Sequence, residues 1–391
     1  MTTTTRDQGA TVLLTWLRQR SQTWEDALEE LVRLESPSGD AEHLAACARW
    51  VAARAREWVA PDELDLLSEA GVPQLRARVH GTGAARVLLL CHLDTVWSLG
   101  SYQPPFNVEA GVARGPGVFD MKGGVVVALA ALAALRALGG DRPSVTLLCT
   151  GDEEVGSAAS RALIEAEARG SAAVLVLEPP AGAAVKVARK GVGTYSMHLL
   201  GRAAHAGLEP ERGVNSVVEL AALVGKVADF ARPEIGTTVT PTVFSGGTRT
   251  NVVPAAAELR IDVRFSTKAE ADRVDLGIRA LKPSHPEAVL RVEGGPNRPP
   301  LEETASAELF SLASLVADRI GLGPLQSASV GGGSDGNFTA ALGIPTLDGL
   351  GIVGGNAHAA GEWADLTSIP DRAALIAGCL QSLASGVPHE T

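Results

Sequence analysis

The chain has 391 residues, room for two to four domains, and 46% of them are hydrophobic against 20% charged, which excludes wholesale disorder. Aromatic residues make up only 4%, so the core must rest on Ala, Val and Leu. Asp plus Glu number 45 against 34 Lys plus Arg, a net charge of −11, which argues against a nucleic-acid or anionic-membrane binder but not against a small anionic substrate met by local Arg and Lys.

Four widely spaced cysteines, Cys47, Cys91, Cys149 and Cys379, form no CxxC pair and read as reduced thiols of a cytoplasmic protein. The N-terminal stretch MTTTTRDQGATVLLTWLRQR has no basic region ahead of a clean apolar core, so no signal peptide is expected. The longest purely apolar run, Val125–Leu135, is shorter than the roughly 20 residues that span a bilayer.

In chain order the first half reads as α/β. Helical spacing of apolar residues predicts helices over Glu25–Leu34 and Ala41–Trp58, with Ser38 or Asp40 as cap of the second. Val87–Cys91, Val145–Cys149 and Val174–Leu177 read as short buried strands, and Gly123–Leu138 as a long apolar helix. This alternation implies a parallel or mixed sheet covered on both faces. His92 follows the first strand, Thr-Gly-Asp-Glu-Glu the second and Glu178 the third. Ligands of open α/β sheets sit beyond such carboxyl ends.

The middle changes character. Val192–Leu200 reads as a strand, Val214–Ala231 as a helix, Thr237–Phe244 and Glu258–Phe265 as strands, Lys268–Leu281 as a helix and Ala288–Val292 as a strand. Leu259, Ile261, Val263 and Phe265 should line one face. The order β-α-β-β-α-β is the ferredoxin-like pattern. After Pro299–Pro300 come a helix over Ala305–Ile320, the Gly-rich turn Gly331–Asp335, the apolar run Ile344–Leu347, a loop bearing His358 and a closing helix, Pro370–Leu383. The expected division is a catalytic domain over 1–188 and 301–391 with a smaller domain, 189–300, inserted in it.

Several residues carry chemistry, each with a plainer alternative. His92 with Asp94 two residues on suits a metal-binding imidazole oriented by a carboxylate, or a surface His beside a turn Asp. Asp120, between a Gly-rich turn and the long helix, suits a helix cap or a bridge between two metals. In Asp152-Glu153-Glu154, one Glu suits a metal ligand and its neighbour a general base; the alternative is a solvated acidic loop. Glu178 and His358 each suit a metal ligand, or an ordinary strand-end charge and an exposed loop His. Two His and several carboxylates together suit a pair of zinc ions, and no Cys joins the pattern.

Taken in order, HLDTV (His92–Val96), ARGPGVFDMKGG (Ala113–Gly124), TGDEEVGS (Thr150–Ser157), LEP (Leu177–Pro179), GRAAHAG (Gly201–Gly207), GGGSDGN (Gly331–Asn337) and His358 resemble the M20 metallopeptidase family. That family includes glutamate carboxypeptidases of the carboxypeptidase G2 type, acetylornithine deacetylases, succinyl-diaminopimelate desuccinylases and aminoacylases. The resemblance runs over nearly the whole chain. It implies a zinc-exopeptidase-like α/β mixed-sheet catalytic domain with an inserted ferredoxin-like (βαββαβ) lid and dimerisation domain.

The resemblance also implies roles. His92, Asp120, Glu154, Glu178 and His358 match ligands of two zinc ions per subunit, with cobalt or manganese as substitutes, and Asp120 bridges. Glu153 matches the general base, and Asp94 the carboxylate that orients His92. His205 matches a histidine that reaches the neighbouring active site of a homodimer and stabilises the oxyanion; without the resemblance it reads as a polar strand-end His. Asn251 and Arg264 match contacts to the substrate carboxylate, though Arg264 also suits a solvated strand charge. Arg298 falls near a further substrate arginine. Lys186, eight residues after Glu178, falls where the carboxypeptidase G2 branch has a lysine near the substrate, with Lys190 as a rival.

The function implied is zinc-dependent cleavage of an amide bond in an N-acyl amino acid or peptide with a free carboxylate, releasing a C-terminal amino acid such as glutamate. An N-acyl amino acid deacylase, such as acetylornithine deacetylase or aminoacylase, is the alternative. A catalytically silent metal-loaded binding protein is a third reading, weakened by the presence of Glu153. A nucleotide site at Gly331–Asp335 is disfavoured because the turn lacks a P-loop lysine.

Overall fold

The computed structural model describes residues 12–384, so the first eleven residues of the N-terminal stretch lie outside it. The chain divides into two compact units. One comprises the residues through Ala188, Glu303–Val330 and those from Ser334 on; the other comprises Arg189–Glu302 with Gly331–Gly333. The glycine turn joins the smaller unit through Arg189, whose Nη1 donates to the carbonyls of Gly332 and Gly333, both at 3.3 Å.

The larger unit is built on a six-stranded mixed sheet in the order Glu63–Glu69, Val72–Val79, Ser144–Thr150, Arg86–His92, Ala173–Val176, Thr346–Leu347. The last four run parallel to one another. Their near-continuous apolar sequences follow from burial on both faces. The first two strands form an antiparallel hairpin at the edge, which the sequence reading did not assign. Its first strand is largely exposed and interleaves charge with Leu, so no apolar run marks it. The available signal was the turn, where Ala70 and Gly71 both take positive φ, as a two-residue hairpin needs.

The helix Gly123–Leu138 packs under this sheet and is buried on all sides from Gly123 to Leu135. Gly124 permits the approach: a Cβ there would lie 2.0 Å from the Leu177 carbonyl oxygen. The apolar stretch Val118–Leu138 is, at 21 residues, long enough to cross a bilayer, yet 94% of its most apolar window is buried inside the protein. Burial, and not the length of Val125–Leu135, makes it a core helix. The helix Ala41–Arg54 is capped by Asp40, whose side chain accepts the His43 N–H at 3.2 Å. Ser38, the other candidate cap, points elsewhere, as described below.

The smaller unit is a four-stranded antiparallel sheet in the order Thr238–Gly246, Ala256–Phe265, Gly191–Leu200, Val289–Arg298. The helices Ser216–Ala228 and Lys268–Ala280 cover one face, so the connectivity is β-α-β-β-α-β. Leu259, Ile261, Val263 and Phe265 bury into the core with Tyr195, Met197, Leu220 and Val274, while Glu258, Arg260, Asp262 and Arg264 take the other face.

Candidate metal centre

The carboxyl ends of the parallel strands place the chemistry. His92 is the last residue of its strand and pairs in register with Thr150 of the next. Glu153 and Glu154 follow in the short helical turn Glu153–Val155, and Glu178 lies two residues beyond Val176. Asp120 comes from the irregular turn Val118–Lys122, where its φ of −115° and ψ of 96° are not helical and its side chain caps nothing. The Asp120–Met121 peptide bond is cis. His358 sits in the loop between the short strands Gly354–Gly355 and Trp363–Asp365, at a φ of +60°.

These residues converge. His92 Nε2 lies 3.2 Å from Asp120 Oδ1 and 3.3 Å from Glu178 Oε1. His358 Nε2 lies 3.3 Å from Asp120 Oδ2 and 2.9 Å from Glu154 Oε2. Asp120 therefore presents one oxygen to each imidazole. On the far side of His92, Nδ1 lies 3.0 Å from the Asp94 carbonyl and 3.5 Å from Asp94 Oδ1, which fixes the ring and leaves Nε2 facing the cluster. Asp94 Oδ1 accepts the Glu153 N–H, and Oδ2 accepts the Glu154 N–H, each at 3.1 Å. Ser38 donates to Asp94 Oδ2 at 2.8 Å, the role it takes in place of a helix cap.

The charged groups of the cluster act strongly on one another. Burial opposes a charged His92, but hydrogen bonds to Asp120, Asp94 and Glu178 overcome it and raise its pKa well above the usual imidazole value. Hydrogen bonds donated to Asp120 and then to Glu154 raise His358 to about 10. Burial pushes Asp120 up, yet the two imidazoles hold it far below the ordinary carboxylate range. Burial raises Glu154. Carboxylates outnumber the imidazoles, a donor set that fits cations. Among the described residues, ligand atoms of His92, Asp120 and Glu154, and again of His92, Glu153 and Glu178, lie within 4.8 Å of one another. A donor set of imidazole nitrogen and carboxylate oxygen, with no sulfur, suits two divalent ions such as zinc.

Other residues have different work. Asp152, the first of the acidic trio, turns away and is 4% exposed, accepting from the Ser160 hydroxyl and from the Ala159 N–H at 2.8 Å. Glu362, which the sequence reading passed over, is buried and accepts from Trp97 Nε1 and from the N–H groups of Gly117, Phe119 and Asp120. Its only sequence mark is a lone acidic residue four positions after His358. Burial raises its pKa.

The expected substrate contacts are distributed over both units. Lys186 is in the larger one, half-buried, with its main-chain N–H donating to the Asp348 carbonyl at 2.8 Å. The smaller unit holds the rest. His205 is exposed, and its Nδ1 accepts the N–H groups of Gly207 and Leu208, both at 3.1 Å, which leaves Nε2 as the donor. Asn251 is beside it, its carbonyl accepting the Ala206 N–H at 3.0 Å. Arg264 holds Asp262 through Nε and Nη2, both at 2.9 Å. Arg298 ends its strand and is 6% exposed.

The chain is similar to several known proteins. The chain is 31% identical over 370 residues to carboxypeptidase G2 of Pseudomonas sp. (strain RS-16), covering 92% of this chain and 89% of that protein. It is 28% identical over 339 residues to succinyl-diaminopimelate desuccinylase of Rhodopseudomonas palustris (strain BisB5), covering 80% and 85%. The fold is that of aminopeptidase PepT from Bacillus cereus ATCC 10987, with a TM-score of 0.74, 19% identity, and 93% and 99% of the chains covered. It is also that of the M20 family metallo-carboxypeptidase Sso-CP2 from Sulfolobus solfataricus, with a TM-score of 0.71, 17% identity, and 92% and 98% covered. Residues 88–382, which carry every residue of the His92–Asp120–Glu154–Glu178–His358 cluster, match the group described as Peptidase family M20/M25/M40. The chain belongs to that family and is an amide-bond hydrolase.

Proposed function

We propose that this chain is a two-zinc hydrolase that releases a C-terminal amino acid, glutamate foremost, from an N-acyl amino acid or peptide. The observation that carries the two-ion reading is Asp120, with Oδ1 at 3.2 Å from His92 and Oδ2 at 3.3 Å from His358. His92 and Glu178 would hold one ion, Glu154 and His358 the other, with Asp120 shared. The pair, when bound, would acidify water and polarise the amide carbonyl.

The chain's own residues do the rest. Glu153 takes the proton of the attacking water and returns it to the leaving nitrogen. Asp94 holds the Glu153 main chain and the His92 ring together. His205 donates from Nε2 to the oxyanion. Asn251, Arg264, Arg298 and Lys186 receive the substrate carboxylate. Arg264 would exchange Asp262 for it, since a guanidinium fork accepts one carboxylate bidentately at a time.

In this reading 1–188 and 301–391 form the catalytic domain, and 189–300 serves as lid and dimerisation domain. Homodimerisation is supported by the open edge strand Thr238–Gly246, where Val243 is 50% and Phe244 42% exposed. Cytoplasmic residence is supported by four cysteines that are all buried and unbridged. The net charge of −11 supports a small-molecule or peptide substrate, with no nucleic-acid or membrane partner.

The test is amino-acid release from N-acyl-glutamates, N-acetyl and N-succinyl amino acids, and dipeptides, with metal-free protein reloaded with zinc, cobalt or manganese. Hydrolysis of bulky N-acyl-glutamates, lost on chelation and restored best by zinc, is expected. Turnover confined to N-succinyl or N-acetyl compounds would make it a deacylase, the reading that the desuccinylase likeness favours. Full turnover after chelation would defeat both.

A further inference from the structure

Glu362 lies outside every catalytic role above, yet its surroundings are built around it. Its carboxylate is 1% exposed. Oε1 accepts the N–H groups of Phe119 and Asp120, both at 3.0 Å. Oε2 accepts the Gly117 N–H at 3.2 Å and Trp97 Nε1 at 2.8 Å. The Tyr102 hydroxyl donates to the Glu362 main-chain carbonyl at 3.0 Å, and the Tyr102 ring meets Trp97 edge-on at 4.8 Å. Main-chain N–H groups converging on one anion make a cradle that a neutral or donor group does not fill. Gly117 is part of it, with a φ of +71° and no room for a Cβ, which would lie 2.5 Å from Thr95 Cγ2.

The grip has a direction. Glu362 is four residues past His358 on the same loop, and it holds the main chain of Asp120 from behind. It therefore ties together the two segments that bring Asp120 and His358 to each other. We infer that Glu362 is the positioning residue that sets Asp120 between His92 and His358, so that the chain can hold a second metal ion. This rests on the two-ion reading. Asp120 must reach both imidazoles at once, and a displacement of about 1 Å, large for a site of this kind, would forfeit one of them. Outer partners of metal ligands commonly contribute about 10–100-fold to metal affinity.

Glu362→Gln is the sharp probe, because its amide would turn a donor toward the cradle's N–H groups while conserving shape. Metal-free full-length protein is titrated with Zn2+ against a chromophoric chelator, and with Co2+ by its visible absorption. Wild type should take two equivalents. In Glu362→Gln the first should stay within about threefold and the second weaken about 10–100-fold, with an altered Co2+ spectrum. Two equivalents bound as tightly as in wild type would overturn the inference, and so would equal weakening of both together with a lowered melting temperature. If Glu362→Gln does not fold, Trp97→Phe removes one of the four donors and keeps an aromatic ring; it should weaken the second equivalent about threefold or more. An unchanged second equivalent there would overturn the inference as well. Fewer than two equivalents in wild type would instead defeat the two-ion reading, and this inference with it.

Discussion

The carboxylate of Asp94 accepts the main-chain N–H of Glu153 at 3.1 Å. The residue that lies against His92 Nδ1 thus also sets the segment that carries the proposed base. Glu153 follows a buried strand, and its carboxylate lies within 4.8 Å of ligand atoms of His92 and Glu178. Glu153→Gln should keep both metal equivalents and fold normally, while kcat falls about 10²–10⁴-fold. Metal content by elemental analysis beside steady-state rates checks this; near-normal turnover with metal retained would sink the assignment.

Asp94→Asn should fail differently. Asp94 accepts from Glu153, Glu154 and Ser38 and faces His92 Nδ1, and an amide offers only one accepting atom. Metal affinity should drop about 10–100-fold along with turnover. Excess zinc should then recover part of the activity, which it should not do for Glu153→Gln. Equal affinity in Asp94→Asn and wild type would show that the Asp94 contacts are incidental.

The smaller unit carries an acid-sensitive anchor. Glu270 accepts from Arg273 Nη2 at 2.6 Å and from the Thr237 hydroxyl at 2.8 Å. The Arg273 hydrogen bonds lead in lowering its pKa from 4.5 to about 2 against the cost of burial. The folded value lies below the unfolded one, so its stabilisation is complete above about pH 4.5 and drains away as pH falls toward 2. Glu270→Gln should melt lower at pH 7 and lose part of the acid sensitivity seen by calorimetry between about pH 4.5 and 2. A parallel shift of the whole pH curve would show that this carboxyl is not its source.

Cross-subunit action by His205 has a decisive mixing test. His205→Ala and Glu153→Gln should each be nearly inactive, the former by about 10²–10³-fold. If His205 serves the neighbouring subunit, hybrids of the two variants contain one intact site and activity returns on mixing. Phe244→Glu, on the exposed edge strand, should yield monomers by light scattering and remove that recovery. Activity that never returns in verified hybrids would place His205 in its own subunit's chemistry.

Much of the architecture was legible because burial writes itself into composition. The runs at Val87–Cys91 and Val145–Cys149 are strands covered on both faces, and the alternation from Leu259 to Phe265 is a sheet with one covered face. The hairpin Glu63–Glu69 and Val72–Val79 was not legible, since an edge strand with one poorly covered face need not repeat apolar residues. At the site, His92, Asp120, Glu154, Glu178 and His358 were nameable as candidates because polar residues at strand ends and Gly-rich turns stand out beside a core, and the family resemblance implied their roles. Ser38 and Glu362 were not. Their partners, Asp94 and the segment Gly117–Asp120, are 56 or more residues away in sequence, and no local pattern encodes such a contact.

Residue order alone was therefore enough for the α/β class and the β-α-β-β-α-β unit, because these follow from local periodicity, while the candidate chemical side chains came from residue type together with the family resemblance. Tertiary packing decided the rest. It turned Asp152 away to Ser160 and Asp120 inward between two imidazoles, closed Arg264 onto Asp262, and seated Glu362 behind Asp120. Each of these pairings satisfies a buried or half-buried charge, and a charge can be satisfied only by groups that folding has already brought within about 3 Å of it.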